Sequence, residues 1–393
     1  MRITVAHNYY QQPGGEDASF EAEVALLRAQ GHHVATYTAH NDAIGAMNPL
    51  AVAGKTVWNR DCYRSLDTLF RRGSFDVAHF QNTFPLVSPS AFYAAKANGV
   101  AVVQSLRNYR LICVNGLFFR NGRVCEDCLG KQVPWPGVVH ACYRDSRAAS
   151  SVVGGMLAFH GLRGTWSNMI DVFIALTEFS RQKFIEAGLP AEKIAVKPNF
   201  VTPDPGVGDG GGKYALFVGR LSPEKGVGTL LKAWEAIGSR LPLKIVGDGP
   251  LMDTVKRAAE RSRGAVSWLG RKAPAEVYAL MGDAALLVFA SEWYETFGRV
   301  AIEAFAKGTP VVAAQFGAIT EVVRHGDTGL HFHPGDADSL AAQVDWVLSH
   351  PSELARMRRS ARAEFESKYT AAHNYQKLIE VYQRGLDHHR RYA

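Results

Sequence analysis

Short apolar runs alternate with helix-spaced segments along the whole chain. In the first half, residues 2–6 (RITVA), 34–38, 76–80 (DVAHF), 100–105 (VAVVQS) and 171–177 (DVFIALT) read as strands. The first is followed by a loop with Pro13, Gly14 and Gly15. Residues 20–30 then carry apolar positions at Val24, Leu26 and Leu27 with helical spacing, and Gly31 stops them. A second clear helix spans 180–187 and ends at Gly188. Strand and helix in alternation predict a parallel sheet with helices on both faces.

The rhythm breaks at residues 198–213 (PNFVTPDPGVGDGGGK), which are dense in proline and glycine and lack apolar periodicity. Such a stretch reads as a flexible interdomain linker. The alternation then restarts. Strands are expected at 214–218, 243–246, 266–269, 285–289 and 310–313, and helices at 227–237, 251–261, 274–281, 297–307 and 339–348. The expectation is therefore an α/β protein of two doubly wound domains. In such sheets ligands bind at the carboxyl ends of the strands, so the default site is a cleft between two facing domains. The tail, 371–391, is helical and basic.

Composition narrows the partners more than the fold. Hydrophobic residues make up 47% and charged residues 21% of 393 positions, ordinary globular usage that argues against disorder. A net charge of +7 and a pI near 9.1 suit a polyanion: a nucleotide, a nucleic acid or an anionic membrane surface. No apolar run approaches the ~20 residues of a spanning helix. The opening MRITVAHNYY lacks the apolar stretch of a secretory leader, which predicts a cytoplasmic protein.

The densest chemistry lies between Gly219 and Glu303. The segment GRLSPEKG at 219–226 follows a strand and precedes a helix. Its Arg220 offers a bidentate fork and its Lys225 a mobile point charge, a suitable pair for a diphosphate. A solvated loop with surface cations is the plainer alternative. The segment SEWYETFGRVAIEAFAKGTP at 291–310 puts Glu295 in a strand-to-helix loop and Glu303 eight positions later. Phe297 and Gly298 fall at the helix start, where unpaired N–H groups and the dipole attract anions. Carboxylates accept hydrogen bonds from sugar hydroxyls, so the unit combines a phosphate site with two sugar grips. The plainer alternative makes Glu295 a helix cap and Glu303 a surface residue. Glu303 lies between Ile302 and Ala304 in a mostly apolar helix, which argues against solvation.

With Glu295-x7-Glu303 go FVGRLSPEKG (217–226), IVGDGP (245–250), LTEFSRQKFIEAGLP (176–190), VKPNF (196–200) and the opening NYYQQPGGEDASFEAEVALLRAQGHHV (8–34). This ordered set resembles retaining glycosyltransferase family four, of the bacterial polysaccharide-assembly type. The resemblance covers essentially the whole chain. It implies the GT-B fold, two Rossmann-like domains facing across a cleft. These would be an acceptor-side domain at 1–198 with a Cys-rich insertion at 107–146, a linker at 199–213, a donor-side domain at 214–370, and a helix at 371–393 returning to the first domain. It also implies transfer of a hexose from a UDP- or GDP-sugar to a glycan or lipid-linked glycan, with no metal required for catalysis. Carried over by motif, Arg220 and Lys225, after Gly219, would bind the donor diphosphate, and Glu295 would contact the hexose. Glu303 would hold the ribose, and Phe297 and Gly298 would offer N–H groups. Gly14 and Gly15 would form the loop closing on the donor, and the backbone at Gly270 and Arg271 would meet the base. Relatives carry a histidine near the donor sugar where this chain has Arg107, so Arg107 is assigned to donor or acceptor binding. His7 and His79, at strand ends, are substitutes for that histidine, although a structural role is the commoner one.

Four of the five cysteines, Cys113, Cys125, Cys128 and Cys142, fall within 30 residues of loop-like sequence. A C-x-x-C knuckle flanked by two further thiols fits structural zinc, with His140 as a substitute ligand. Buried free thiols and a redox pair are the competing readings, and Cys62 reads as a small buried residue. Basic-apolar stretches at 65–72 and 151–166 suit an anionic membrane surface. Another GT-B enzyme, such as a nucleotide-sugar epimerase or a phosphorylase, is the alternative within the fold. A zinc-stapled nucleic-acid-binding protein would need a Lys/Arg stripe with interleaved aromatics, and the sequence has neither.

Overall fold

The apolar runs become two parallel sheets. The strands of the first part of the chain are β1 (Arg2–Tyr9), β2 (His33–His40), β3 (Val77–Asn82), β4 (Ala101–Ser105), β5 (Phe119–Arg120), β6 (Arg123–Val124), β7 (Val172–Ala175) and β8 (Ile194–Val196). Six of them pair in parallel in the order β2-β1-β3-β4-β7-β8, while β5 and β6 form a small antiparallel hairpin. β3, β4 and β7 are buried along their full length, as strands covered on both faces must be, and the edge strand β2 alternates. This computed structural model describes residues 1–12 and 14–392. They divide into two compact units, the first holding Met1–Phe118, Cys125–Pro198 and the chain from Asn374 on, the second Phe119–Val124 and Asn199–His373.

In the first unit, Phe20, Val24 and Leu27 of the helix Gly15–Ala29 share a core with Ile3, Val5, Val77, Val103, Val172 and Ile174 of the sheet. Leu378, Val381 and Tyr382 of the helix Ala371–Tyr392 complete that core. The helices Pro49–Val57, Arg60–Arg72 and Ser90–Ala97, absent from the sequence reading, fill the β2–β3 and β3–β4 connections.

The second unit contains β9 (Ala215–Val218), β10 (Leu243–Val246), β11 (Val266–Trp268), β12 (Leu286–Phe289), β13 (Val311–Ala314) and β14 (Gly329–Phe332). All are parallel, in the order β11-β10-β9-β12-β13-β14. The strand order reverses between β9 and β12, and a doubly wound sheet opens a ligand crevice at that switch point. In the first sheet the reversal lies between β1 and β3.

The proline- and glycine-rich segment departs from its expected role as a free linker. The N–H groups of Gly208, Gly210 and Gly212 donate to the carbonyls of Lys307, Gly282 and Asp283 at 3.0, 2.9 and 2.9 Å. A Cβ on Gly208 would stand 2.2 Å from the Gly282 Cα. The glycines therefore serve close backbone packing against the second unit rather than freedom.

Candidate active site

The switch point of the second sheet gathers most of the sequence-predicted donor residues. After β9 the chain runs through Gly219 and Arg220 to a single 3-10 turn, Pro223–Lys225, and then into the helix Val227–Ile237. Gly226 joins the two at φ +67°, and a Cβ there would lie 1.9 Å from the Ala290 carbonyl oxygen. Only glycine lets this loop pass so close to the end of β12. The loops after β9 and β12 are tied together, Glu292 N–H donating to the Glu224 carbonyl at 2.9 Å and Thr229 Oγ1 to Glu292 Oε1 at 2.5 Å.

This tie brings Lys225 to Glu295. Lys225 Nζ forms an ion pair with Glu295 Oε1 and sits 5.1 Å from the centre of the Trp293 ring. The same oxygen accepts from Ser291 Oγ and from the Trp293 indole N–H, each at 3.0 Å. Glu295 is only 8% exposed, so its charge is held by built-in donors rather than by water. Ser291 and Trp293 were not singled out from sequence. Their signal was proximity, two and four positions before Glu295. Arg220 is exposed and, among the described residues, makes no ion pair or side-chain hydrogen bond.

The helix carrying Glu303 is Arg299–Ala306, two positions shorter at its start than the sequence suggested. Gly298 is its N-cap at φ +91°, in the left-handed region, where an added Cβ would stand 2.9 Å from Ile319 Cδ1. The first N–H groups of a helix have no partner within it, so this end presents donors and a positive dipole. Phe297 is buried and packs edge-on to Tyr369 at 6.0 Å, so what it can give a ligand is its backbone. Glu303 pairs with Arg299, Nε to Oε1 at 2.9 Å. Burial raises the Glu303 carboxyl above its ordinary value, and Arg299 pulls the other way. Gly270 turns the loop after β11 at φ +68° and accepts from Gly247 N–H at 2.9 Å, and the exposed Arg271 lies 3.7 Å from Asp248.

In the first unit, Gly14 and Gly15 begin the helix Gly15–Ala29 and are exposed. Gly14 N–H donates to Asp17 Oδ2 at 2.9 Å, and Asp17 Oδ1 lies 2.7 Å from Nε2 of the buried His7. His7 thus props the glycine loop from below and stacks on Phe20 at 4.7 Å. His79 is fully buried between Ser105 Oγ (2.8 Å) and Tyr382 OH (2.9 Å), and burial lowers its pKa to about 3. Both histidines are buried and hydrogen-bonded within the first unit.

Arg107, expected at the ligand, lies 6% exposed beyond β4. Its Nε donates to Gln81 Oε1 at 2.5 Å, and Nη2 stands 3.4 Å from Glu23 Oε2. Glu23 also receives Lys197 Nζ at 2.5 Å, and Lys197 reaches Asn374 Oδ1 at 3.2 Å. Glu23, Gln81 and Lys197 were missed, although Lys197 belongs to the VKPNF segment.

Cys113, Cys125, Cys128 and Cys142 form no disulfide, and among the described residues no group of three or more His, Cys, Asp or Glu has the arrangement of a metal site. Cys113 Sγ donates to Asn115 Oδ1 at 3.0 Å, while Cys142 packs on a small cluster of Val114, Val153, Met156 and Leu157. Burial first, then the neighbouring thiols, push Cys128 up to about 12. His140 is exposed, and Cys62 is fully buried. Within this insertion the Arg110 guanidinium lies over the rings of Phe84 (4.6 Å) and Tyr143 (5.0 Å).

Residues 205–364 match the family model "Glycosyl transferases group 1". A glycogen synthase of Mycobacterium tuberculosis is 37% identical over 159 residues, 39% of this chain and 38% of that protein. A D-inositol 3-phosphate glycosyltransferase of Rhodococcus erythropolis is 31% identical over 242 residues, 58% of this chain and 51% of that one. The chain thus spans about half the length, or less, of these curated relatives. The crystal structure of Anabaena Alr3699/HepE in complex with UDP-glucose superposes with a TM-score of 0.70 at 19% identity, over 98% of this chain and 99% of that one. The likeness is one of fold, and the fold of two parallel six-stranded sheets is that of the GT-B glycosyltransferases.

Proposed function

We propose that this chain is a retaining glycosyltransferase that moves a hexose from a UDP- or GDP-sugar to a glycan or lipid-linked glycan in bacterial surface polysaccharide synthesis. The observation that carries the reading is the pairing of Lys225 with Glu295 at the switch point of the second sheet, ahead of a glycine-capped helix bearing Glu303. In this reading Arg220, Lys225 and the N–H groups at Gly298 receive the diphosphate, whose charge grows as the sugar–oxygen bond breaks. Donors fixed in place before that moment need no reorganisation, and this is the largest source of rate for such chemistry. Glu295 accepts from hydroxyls of the transferred hexose, and Glu303 from those of the ribose. The acceptor hydroxyl attacks on the face the leaving group vacates, the departing phosphate takes its proton, and the configuration is retained. The diphosphate is met by protein cations and N–H dipoles, so activity should persist in a chelator.

An acceptor at the inner membrane face is supported by exposed Trp135, Phe159 and Leu162, with Arg163 packed 5.7 Å from the Phe159 ring. No helix of the described residues is long and apolar enough to cross a membrane.

The test has two parts. Thermal shifts with UDP, GDP, ADP and their sugar conjugates should single out one base, with about 2.7 kcal/mol of added stability at a hundredfold Kd. Proton NMR of the product should then show the donor's α configuration. No shift with any nucleotide would overturn the reading.

A further inference from the structure

The carboxylate assigned above to the ribose has a companion in its own helix. Arg299 stands at the first position of Arg299–Ala306, its Nε 2.9 Å from Glu303 Oε1, with both side chains only a fifth exposed. From the neighbouring helix Pro274–Asp283, Tyr278 lies beside the same guanidinium and faces the same carboxylate. The other surroundings are electrically quiet. β12 and β13, packed on this helix, carry no ionisable side chain. The remaining acids of the neighbouring helix are engaged elsewhere, Glu276 with Lys272 and Asp283 beside Tyr214. On the helix Pro351–Lys368, Arg362 reaches this helix only at the Ala306 carbonyl and pairs with Asp204 and Glu366. Arg299 is therefore the one cation set against Glu303 among the described residues.

We propose that Arg299 is a positioning residue for the nucleotide sugar: by holding Oε1 of Glu303 it keeps that carboxylate ionised and oriented, so that the ribose hydroxyls always meet an acceptor. The proposal rests on the reading of Glu303 as the ribose ligand. Its physical basis is the character of the carboxyl group. Ionised, it accepts from both ribose hydroxyls; protonated, it presents a donor and loses acceptor capacity. Burial favours the protonated form of Glu303, and the guanidinium opposes it. Without Arg299 the acceptor would be lost at a higher pH.

The experiment measures the dissociation constants of UDP-glucose, GDP-mannose and ADP-glucose from the full chain between pH 5 and 8. Esterified diphosphates are used because a free terminal phosphate titrates near pH 6 on its own account. Wild type should bind at least one of them, with an affinity that declines on the acid side. In Arg299→Leu the midpoint of that decline should move up by about 1 pH unit or more, the usual effect of an arginine beside a carboxylate. Arg299→Lys should bring it back toward wild type, and Glu303→Gln should abolish the decline while weakening binding. A merely structural Arg299 would lower affinity equally at every pH, and that result, or an unmoved midpoint in a folded Arg299→Leu, overturns the proposal. The lysine variant decides the matter if the leucine variant fails to fold. Wild type that binds none of the three sugars removes the proposed function and this inference together, whereas binding with an unmoved midpoint removes only the inference.

Discussion

Lys197 Nζ lies 2.5 Å from Glu23 Oε1 in the interior of the first unit, each side chain 1% exposed. Burial alone would push the Glu23 carboxyl up, but Lys197 and Arg107 together bring it down to about 2 from an ordinary 4.5. A depressed carboxyl contributes stability above its unfolded pKa and loses it as pH falls through the folded one. That contribution should hold at neutral pH and fade between about 4.5 and 2. Removing one partner strands a buried charge, at a cost of about 3–5 kcal/mol. Glu23→Gln should lower the urea midpoint accordingly, and adding Lys197→Met should recover part of the loss. A single variant as stable as wild type would show that the pair is not closed in solution.

His79 acts in the same direction, over a higher pH interval. Its folded pKa of about 3 lies below the ordinary 6.5, because burial disfavours the imidazolium. Within that interval the unfolded chain binds the extra proton, so stability should decline as pH falls from about 6.5 toward 3. His79→Gln should flatten that part of a stability–pH curve. A curve of unchanged slope would count against the buried neutral imidazole.

At the second unit's switch point, Lys225→Ala should reduce kcat by about 10²–10³, the scale for losing one preorganised electrostatic donor. Glu295→Gln should reduce it as well, since the carboxylate anchors Lys225, Ser291 and Trp293 at one oxygen. Circular dichroism should show both variants folded. Full activity in either would remove these residues from the reaction.

Two glycines should differ in tolerance. Gly226→Ala drives a Cβ to 1.9 Å from a backbone carbonyl, whereas Gly298→Ala meets the flexible end of Ile319 at 2.9 Å. Strained left-handed backbone costs about 1–3 kcal/mol at either site. The backbone clash adds to it only at Gly226, so the Gly226 variant should melt lower. The reverse order would mean that the loop after β9 yields more readily than the core beneath Gly298.

The thiols make a fifth case. If Cys113 and Cys128 keep their protein-oxygen partners as thiols, chelator should leave the melting temperature unchanged. Thiol reagents should react slowly in the folded protein at pH 7. A melting temperature that drops in chelator would return Cys113, Cys125, Cys128 and Cys142 to zinc.

Both sheets were legible because their strands are short apolar runs. Glu295 and Glu303 were legible because one strand–loop–helix unit carries both. Arg107 was not. Its identity marked a departure from relatives, but its partners come from β3 and from the helix Gly15–Ala29, and no local pattern announces a pairing between distant segments. The glycine-rich stretch misled for a related reason. Missing side chains usually mean freedom, yet at Gly208 the missing Cβ is what admits the Gly282 backbone. In the Cys-rich insertion, the contact of Arg110 with two aromatic rings was not legible, because no spacing rule connects them.

Asn374 Nδ2 donates to the Pro198 carbonyl at 2.8 Å across 176 positions of sequence. On the ribosome, all of the second unit must therefore be made before the first can close. Until then Ile3, Val5, Val103 and Val172 await Leu378 and Tyr382, and His79 lacks the tyrosine hydroxyl that satisfies its ring. The nascent first unit leaves the exit tunnel with an uncovered apolar groove, a target for chaperones, and residues 1–198 made alone should aggregate unless the helix Ala371–Tyr392 is supplied as a separate peptide.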